Sequence, residues 1–305
     1  MASKIQGFFP VTTTPFSASG ELMLDAFAEL LEWHIRQGCD GLCVGADNGE
    51  SWALETDELG RVAETAVRVS AGRVPVLCGA LGTASLSARQ AIKRAEVAAT
   101  AGADAVLVSP QVYLMAGTRS EVVKRYQTIY ETVRVPIVVY NAPRHFGITL
   151  DADTLEAICG VVDVVGVKES SRDFFHTTQI IHRFGKRLCV FVGPGWFIMP
   201  GIALGARGFL STGPDLLGVD AAKIIPLARQ VWTEETRQLH ARVARVYHTL
   251  LELGLGTPPA PVKMALNLMG LPVGVPRAPI EPLSPESTQT LIAILREVGA
   301  PLREV

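Results

Sequence analysis

The chain has 305 residues, 48% hydrophobic and 19% charged, which is the composition of a folded globular protein and excludes a disordered one. With 28 basic and 30 acidic residues the formal charge is −2 and no basic run occurs, which excludes a nucleic-acid footprint and a polybasic membrane patch. Small molecules and further copies of the chain are the expected partners.

The predicted elements alternate. An apolar run at 8–13 is followed by a helical segment at 26–37, with Phe27, Leu30, Leu31 and His34 on one face. Runs at 41–44, 74–79 and 105–109 alternate with helical segments at 56–70, 87–101 and 120–132. Further runs lie at 137–140, 164–168, 190–193 and 208–211. These eight runs are continuously apolar, as expected of parallel strands buried on both faces. Glycines precede several of them, in Gly38-Cys39-Asp40-Gly41, Gly102-Ala103-Asp104-Ala105 and Gly205-Ala206-Arg207-Gly208, a weak βα repeat in which Gly closes a helix before the next strand. The predicted fold is α/β, a (β/α)8 TIM barrel over residues 1–218 that carries catalysis, with a C-terminal helical subdomain over 219–305. The latter rests on helical patterns at 221–232, 234–252, 261–269 and 285–298.

Five cysteines, Cys39, Cys43, Cys78, Cys159 and Cys189, are irregularly spaced without a CxxC, and read as buried thiols of a reducing compartment. The most apolar long stretch, 190–210, is broken by glycines and prolines and cannot supply the ~20 apolar residues of a bilayer span. A cytoplasmic location is expected. No GxGxxG, P-loop, GxSxG, HxH or HExxH is present, so neither a cofactor nor a metal is expected.

Barrel active sites sit at the C-terminal ends of the strands, which singles out the residues there. Lys168 closes the sixth run and is one of only seven lysines. Burial there favours the free amine, the form that attacks a ketone, although a snorkelling lysine or one paired with Glu169 fits the same position. Tyr140 closes the fifth run; its phenol is either a proton shuttle or a satisfied core tyrosine. The turn from Gly45 to Ser51 follows the second run and contains Asp47 and Asn48. It can present backbone N–H groups to a carboxylate or cap a helix in an ordinary βα turn. Arg144 and His145 follow Tyr140 and could grip an acidic group or form a surface pair.

Together these positions resemble the dihydrodipicolinate synthase and N-acetylneuraminate lyase superfamily of pyruvate-dependent class I aldolases and dehydratases. The resemblance runs from Pro10-Val11-Thr12-Thr13-Thr14-Pro15-Phe16 through Gly49-Glu50, Tyr140-Asn141-Ala142-Pro143 and Gly166-Val167-Lys168-Glu169-Ser170. It continues to Pro261-Val262-Lys263 and Gly270-Leu271-Pro272, and the 28-residue spacing of Tyr140 and Lys168 matches it. It implies that Lys168 forms a Schiff base with pyruvate or a 2-keto-3-deoxy acid, with Tyr140 as proton relay and Asn48 at the substrate carboxylate. It also implies a homotetramer built as a dimer of dimers. The implied function is a lyase of the class I aldolase type, with dehydration of a 2-keto-3-deoxy sugar acid through the same iminium as the alternative. A barrel that binds a 2-oxo acid without turning it over is the alternative from another class.

Three departures stand against an authentic dihydrodipicolinate synthase. The family turn Gly-Thr-Thr-Gly-Glu reads Ala46-Asp47-Asn48-Gly49-Glu50, so Asp47 replaces the first hydroxyl of the relay and becomes a candidate acid–base residue. Gln111-Val112 follow Pro110 where two tyrosines are usual, with Tyr113 one place later as a substrate-site candidate. His145 stands where the synthase has an arginine, with Arg144 one place early. Leu210, in the eighth run, completes the expected substrate-binding set.

Overall fold

The computed structural model describes residues 5–81, 87–112, 117–255 and 258–303. Eight strands run parallel: β1 (Gly7–Pro10), β2 (Leu42–Val44), β3 (Val76–Gly79), β4 (Ala105–Val108), β5 (Ile137–Asn141), β6 (Val164–Glu169), β7 (Cys189–Val192) and β8 (Gly208–Ser211). Their order is β1-β8-β7-β6-β5-β4-β3-β2. A parallel bridge between Val11 and Cys43, with the Thr12 N–H donating to the Cys43 carbonyl at 2.9 Å, joins β1 to β2 and closes the barrel.

Alternate residues on each strand face different layers. Phe9, Leu77, Leu107, Val138 and Phe191 belong to a cluster filling the barrel, whereas Phe8, Val76, Val106, Val139 and Val190 pack outward against the helices. Both faces are therefore dry, which is why the strands are apolar without alternation. Lys168 and Tyr140 are exceptions in kind. They belong to the inward-facing alternation near the C-terminal rim, where the interior opens.

The helix Thr56–Ser70 coincides with the sequence expectation, and Leu24–Arg36, Ala88–Thr100 and Arg119–Val133 agree with it to within two residues at each end. The expected helix at 221–232 is different. A 3-10 segment, Pro214–Lys223, is broken at Gly218 (φ 60°, ψ −135°), and only Ile224–Ala228 is α-helical. Pro226 has no N–H to donate and resists a longer helix. Helices at Ala152–Cys159, Phe174–Phe184 and Ile198–Ala203 complete the outer layer. Beyond the barrel lie Glu234–Leu253, Pro259–Leu268 and Pro285–Glu297. The first of these packs on the turn after β7 and carries Tyr247 over the strand ends. None of the described helices is long and apolar enough to cross a membrane. All five cysteines are free thiols, four of them buried.

Candidate active site

β5 and β6 pair so that Tyr140 and Lys168 are register partners, and both side chains turn into the barrel mouth. Lys168 is only 4% exposed. Its Nζ lies 4.2 Å from the centre of the Tyr140 ring and 3.8 Å from Oδ2 of Asp47. The Tyr140 hydroxyl donates to that same carboxylate oxygen. Burial first, and then the adjacent Asp47 charge, push the Tyr140 phenol well above its ordinary range, so it stands protonated beside the amine.

Glu169 cannot be the partner of Lys168, because neighbouring strand residues face opposite sides. Its carboxylate points away from the mouth, accepting from Asn141 Nδ2 at 2.7 Å and the Ser171 N–H at 2.8 Å. His176 Nδ1 lies 3.4 Å from it, and that contact raises the His176 pKa.

The turn after β2 delivers Asp47 and Asn48. Gly45 sits there at φ +60°, and a Cβ would lie 2.4 Å from Leu59 Cδ1, so only glycine leaves β2 this way. Asn48 Nδ2 donates to the Thr212 hydroxyl just beyond β8, while Asn48 Oδ1 is buried and has no partner among the described residues. Behind the turn, Glu50 Oε1 and Lys263 Nζ form an ion pair at 2.6 Å, both side chains almost wholly buried. Lys263 also donates to the Val275 carbonyl at 2.8 Å, and the Arg277 N–H donates to Glu50 Oε2 at 2.8 Å. Burial lowers the Lys263 pKa to about 8 and raises that of Glu50. This pair ties the turn to the helix Pro259–Leu268.

One cleft of about 590 Å³, open to solvent, gathers Lys168, Tyr140, Asp47, Asn48, Arg144, His145 and Leu210. Asp47 is 22% exposed at its side chain, and Arg144 and His145 are exposed. Tyr113 lies outside the described residues. Sequence reading passed over Ser170, Arg172, Ser211, Thr212 and Tyr247, which also line the cleft. The first four follow or end strands β6 and β8, so the strand-end rule could have found them. Tyr247 is mid-helix and gave no such signal. Among the described residues, no group of three or more His, Cys, Asp or Glu side chains could hold a metal ion.

An amine, a protonated phenol and a carboxylate in a partly closed cleft can add to a carbonyl and move the resulting protons. The same arrangement is housed in a widely shared scaffold. The family model described as "Dihydrodipicolinate synthetase family" matches residues 4–298. The 4-hydroxy-tetrahydrodipicolinate synthase of Oceanobacillus iheyensis is 30% identical over 285 residues, covering 93% of this chain and 94% of the relative. A chloride-inhibited dihydrodipicolinate synthase from Acinetobacter baumannii, solved in complex with pyruvate, superposes with a TM-score of 0.89 at 27% identity, over 97% of this chain and 99% of that one. The N-acetylneuraminate lyase of Proteus mirabilis, 22% identical, shares the fold with a TM-score of 0.88 over 98% of this chain and 100% of its own. The chain belongs to the dihydrodipicolinate synthetase family and is a lyase of the class I aldolase type.

Proposed function

We propose that this lyase forms a Schiff base between Lys168 and pyruvate or a 2-keto-3-deoxy acid and uses the intermediate to break or make a carbon–carbon bond. The observation that carries the reading is the placement of the Lys168 amine, buried at the barrel mouth, between the Tyr140 ring and the Asp47 carboxylate. The amine adds to the C2 ketone, and the carbinolamine loses water to give an iminium. In cleavage, the C3–C4 bond breaks and its electron pair moves to C3, forming an enamine, while the C4 hydroxyl gives up its proton as the aldehyde departs. Protonation at C3 and hydrolysis then release pyruvate and the free lysine. Tyr140 relays the protons of the carbinolamine step, and Asp47, which holds the phenol's hydrogen bond, is the acid–base group at the far end of that relay.

Asn48, with Thr212 behind it, is assigned to the substrate's C1 carboxylate, and Arg144, His145 and Leu210 to the rest of the substrate. A carboxylate where the family has a hydroxyl makes an authentic dihydrodipicolinate synthase the weaker reading. It also keeps dehydration open as a second reading, because a β-hydroxyl leaving as water needs an acid, and Asp47 can carry that proton. A cytoplasmic homotetramer is part of the same proposal; the free thiols support the location, and exposed Phe175, Val219 and Val231 offer apolar surface for assembly.

Borohydride reduction in the presence of pyruvate tests the reading. A reduced pyruvyl adduct confined to Lys168, read by peptide mass spectrometry and absent from Lys168→Ala, is the expected result. No adduct with either pyruvate or a 2-keto-3-deoxy sugar acid would overturn it.

A further inference from the structure

The chemistry proposed above concerns the ketone end of the substrate. The far end meets a different group of residues. Arg172, in the loop after β6, has φ +60°, a left-handed backbone conformation that costs a non-glycine residue about 1 kcal/mol or more. Such strain persists only where the surroundings hold the residue in place. Its guanidinium carbon stands 5.8 Å from the centre of the Trp196 ring, and its positive charge acts on the Tyr247 phenol, pulling down a pKa that burial raises. Trp196 and Tyr247 meet edge to face at 4.8 Å and 80°. Gly195 makes that contact possible, since a Cβ there would lie 2.5 Å from the Tyr247 Cβ. Three separate parts of the chain therefore cooperate to fix one arginine at the wall of the cleft.

Its charge is not spent on the protein. Among the described residues no carboxylate lies within ion-pair distance of Arg172, although several other arginines of the chain are paired that way. Asp47 is the one carboxylate among the described residues lining the cleft, and it is engaged by Tyr140 and Lys168. Arg144 adds a further positive charge from the short helix Pro143–Phe146 after β5. A half-buried, aromatic-backed guanidinium without a counter-ion is a receptor for a planar oxyanion, which its fork matches with two parallel hydrogen bonds.

We propose that Arg172, seated on Trp196 and Tyr247, binds a second carboxylate at the end of the substrate remote from the ketone, so that the preferred substrate is a dicarboxylic 2-oxo acid. The assignment rests on the Schiff-base reading for the orientation of the substrate, but the anion subsite is testable without the covalent step. Calorimetric titration of Lys168→Ala, which cannot condense, compares 2-oxoglutarate with 2-oxopentanoate, an acid of the same chain length ending in a methyl group. 2-Oxoglutarate is expected to bind about tenfold or more tightly, the effect of one charge-assisted pair. Adding Arg172→Gly, which relieves the strained backbone, should bring the ratio to about one, and Arg172→Lys should restore part of it. Equal binding of the two acids, no binding of 2-oxoglutarate, or a ratio unmoved by Arg172→Gly would overturn the proposal. Pyruvate trapping in the unaltered chain reports the Schiff base by itself, so failure of either reading is seen separately.

Discussion

The Tyr140 hydroxyl donates to Oδ2 of Asp47, a residue 93 positions earlier in the chain, and the same oxygen lies 3.8 Å from Lys168 Nζ. One carboxylate oxygen thus faces both the phenol and the amine. The two side chains should act as a unit. Tyr140→Phe and Asp47→Asn are each expected to lower kcat by about 10²- to 10⁴-fold, the usual worth of a positioned proton-transfer group. The double variant should be little worse than the poorer single one, giving a coupling nearly as large as the smaller single loss, about 3–5 kcal/mol, in a double-mutant cycle. Independent, additive losses would separate the two roles, and an unchanged rate in Asp47→Asn would remove Asp47 from the relay.

Gly195 tests whether the helix Glu234–Leu253 is part of the site. A Cβ there would collide with Tyr247 Cβ at 2.5 Å and Cγ at 2.6 Å. Gly195→Ala should therefore destabilise the protein by about 1–3 kcal/mol, the ordinary cost of overpacking, and lower kcat/KM by displacing Tyr247 from the cleft. The same change made in a Tyr247→Gly background, which removes both the Cβ and the ring, lifts the collision and should cost far less in urea denaturation. Equal costs in both backgrounds would locate the problem elsewhere.

Much of the barrel was legible because burial on both faces leaves an unmistakable apolar run; residues 164–168 and the observed Val164–Glu169 differ by one position. Lys168 and Tyr140 were legible because each interrupts such a run at its end. The helix expected at 221–232 was not, since Pro226 interrupts the helical hydrogen bonding within it while the apolar pattern carries on through it. Contacts that depend on closing the chain in three dimensions were also hidden. Nothing near Tyr247 announces that it meets Trp196, and nothing near Lys263 announces that it pairs with Glu50. The Gly49-Glu50 and Pro261-Val262-Lys263 segments stand out as motifs, but Lys263 lies 213 positions after Glu50 and no local pattern couples them.

That Glu50–Lys263 pair sits under the catalytic turn with almost no exposure on either side chain. Removing one charge leaves the other buried and unpaired. Lys263→Met is expected to destabilise the protein by about 3–5 kcal/mol, read as a lowered midpoint in urea. Glu50→Gln combined with Lys263→Met should recover part of the loss, because no net charge then remains buried there. A double variant less stable than Lys263→Met alone would mean that the hydrogen bonds to Val275 and Arg277, not the buried charges, dominate.

Asp215 links stability to pH. It is buried just after β8, and burial raises its pKa to about 6, against the pull of the Gly213, Asp215 and Leu216 backbone N–H groups. In the unfolded chain the same carboxyl ionises near pH 4. Between these values the folded protein holds a proton that the unfolded chain has released, so stability falls as pH rises from about 4 to about 6 and is level above that. The penalty reached at neutral pH is roughly 3 kcal/mol. Asp215→Asn keeps an oxygen for the Gly213 N–H, which donates to Oδ1 at 3.0 Å, and carries no charge to bury. Relative to the unaltered chain, the variant should therefore gain stability progressively across that window. Urea unfolding at pH 4.5 and pH 7.5 measures the difference: a larger advantage for Asp215→Asn at the higher pH is expected. Parallel pH profiles for the two proteins would show that Asp215 is ionised at little cost where it lies.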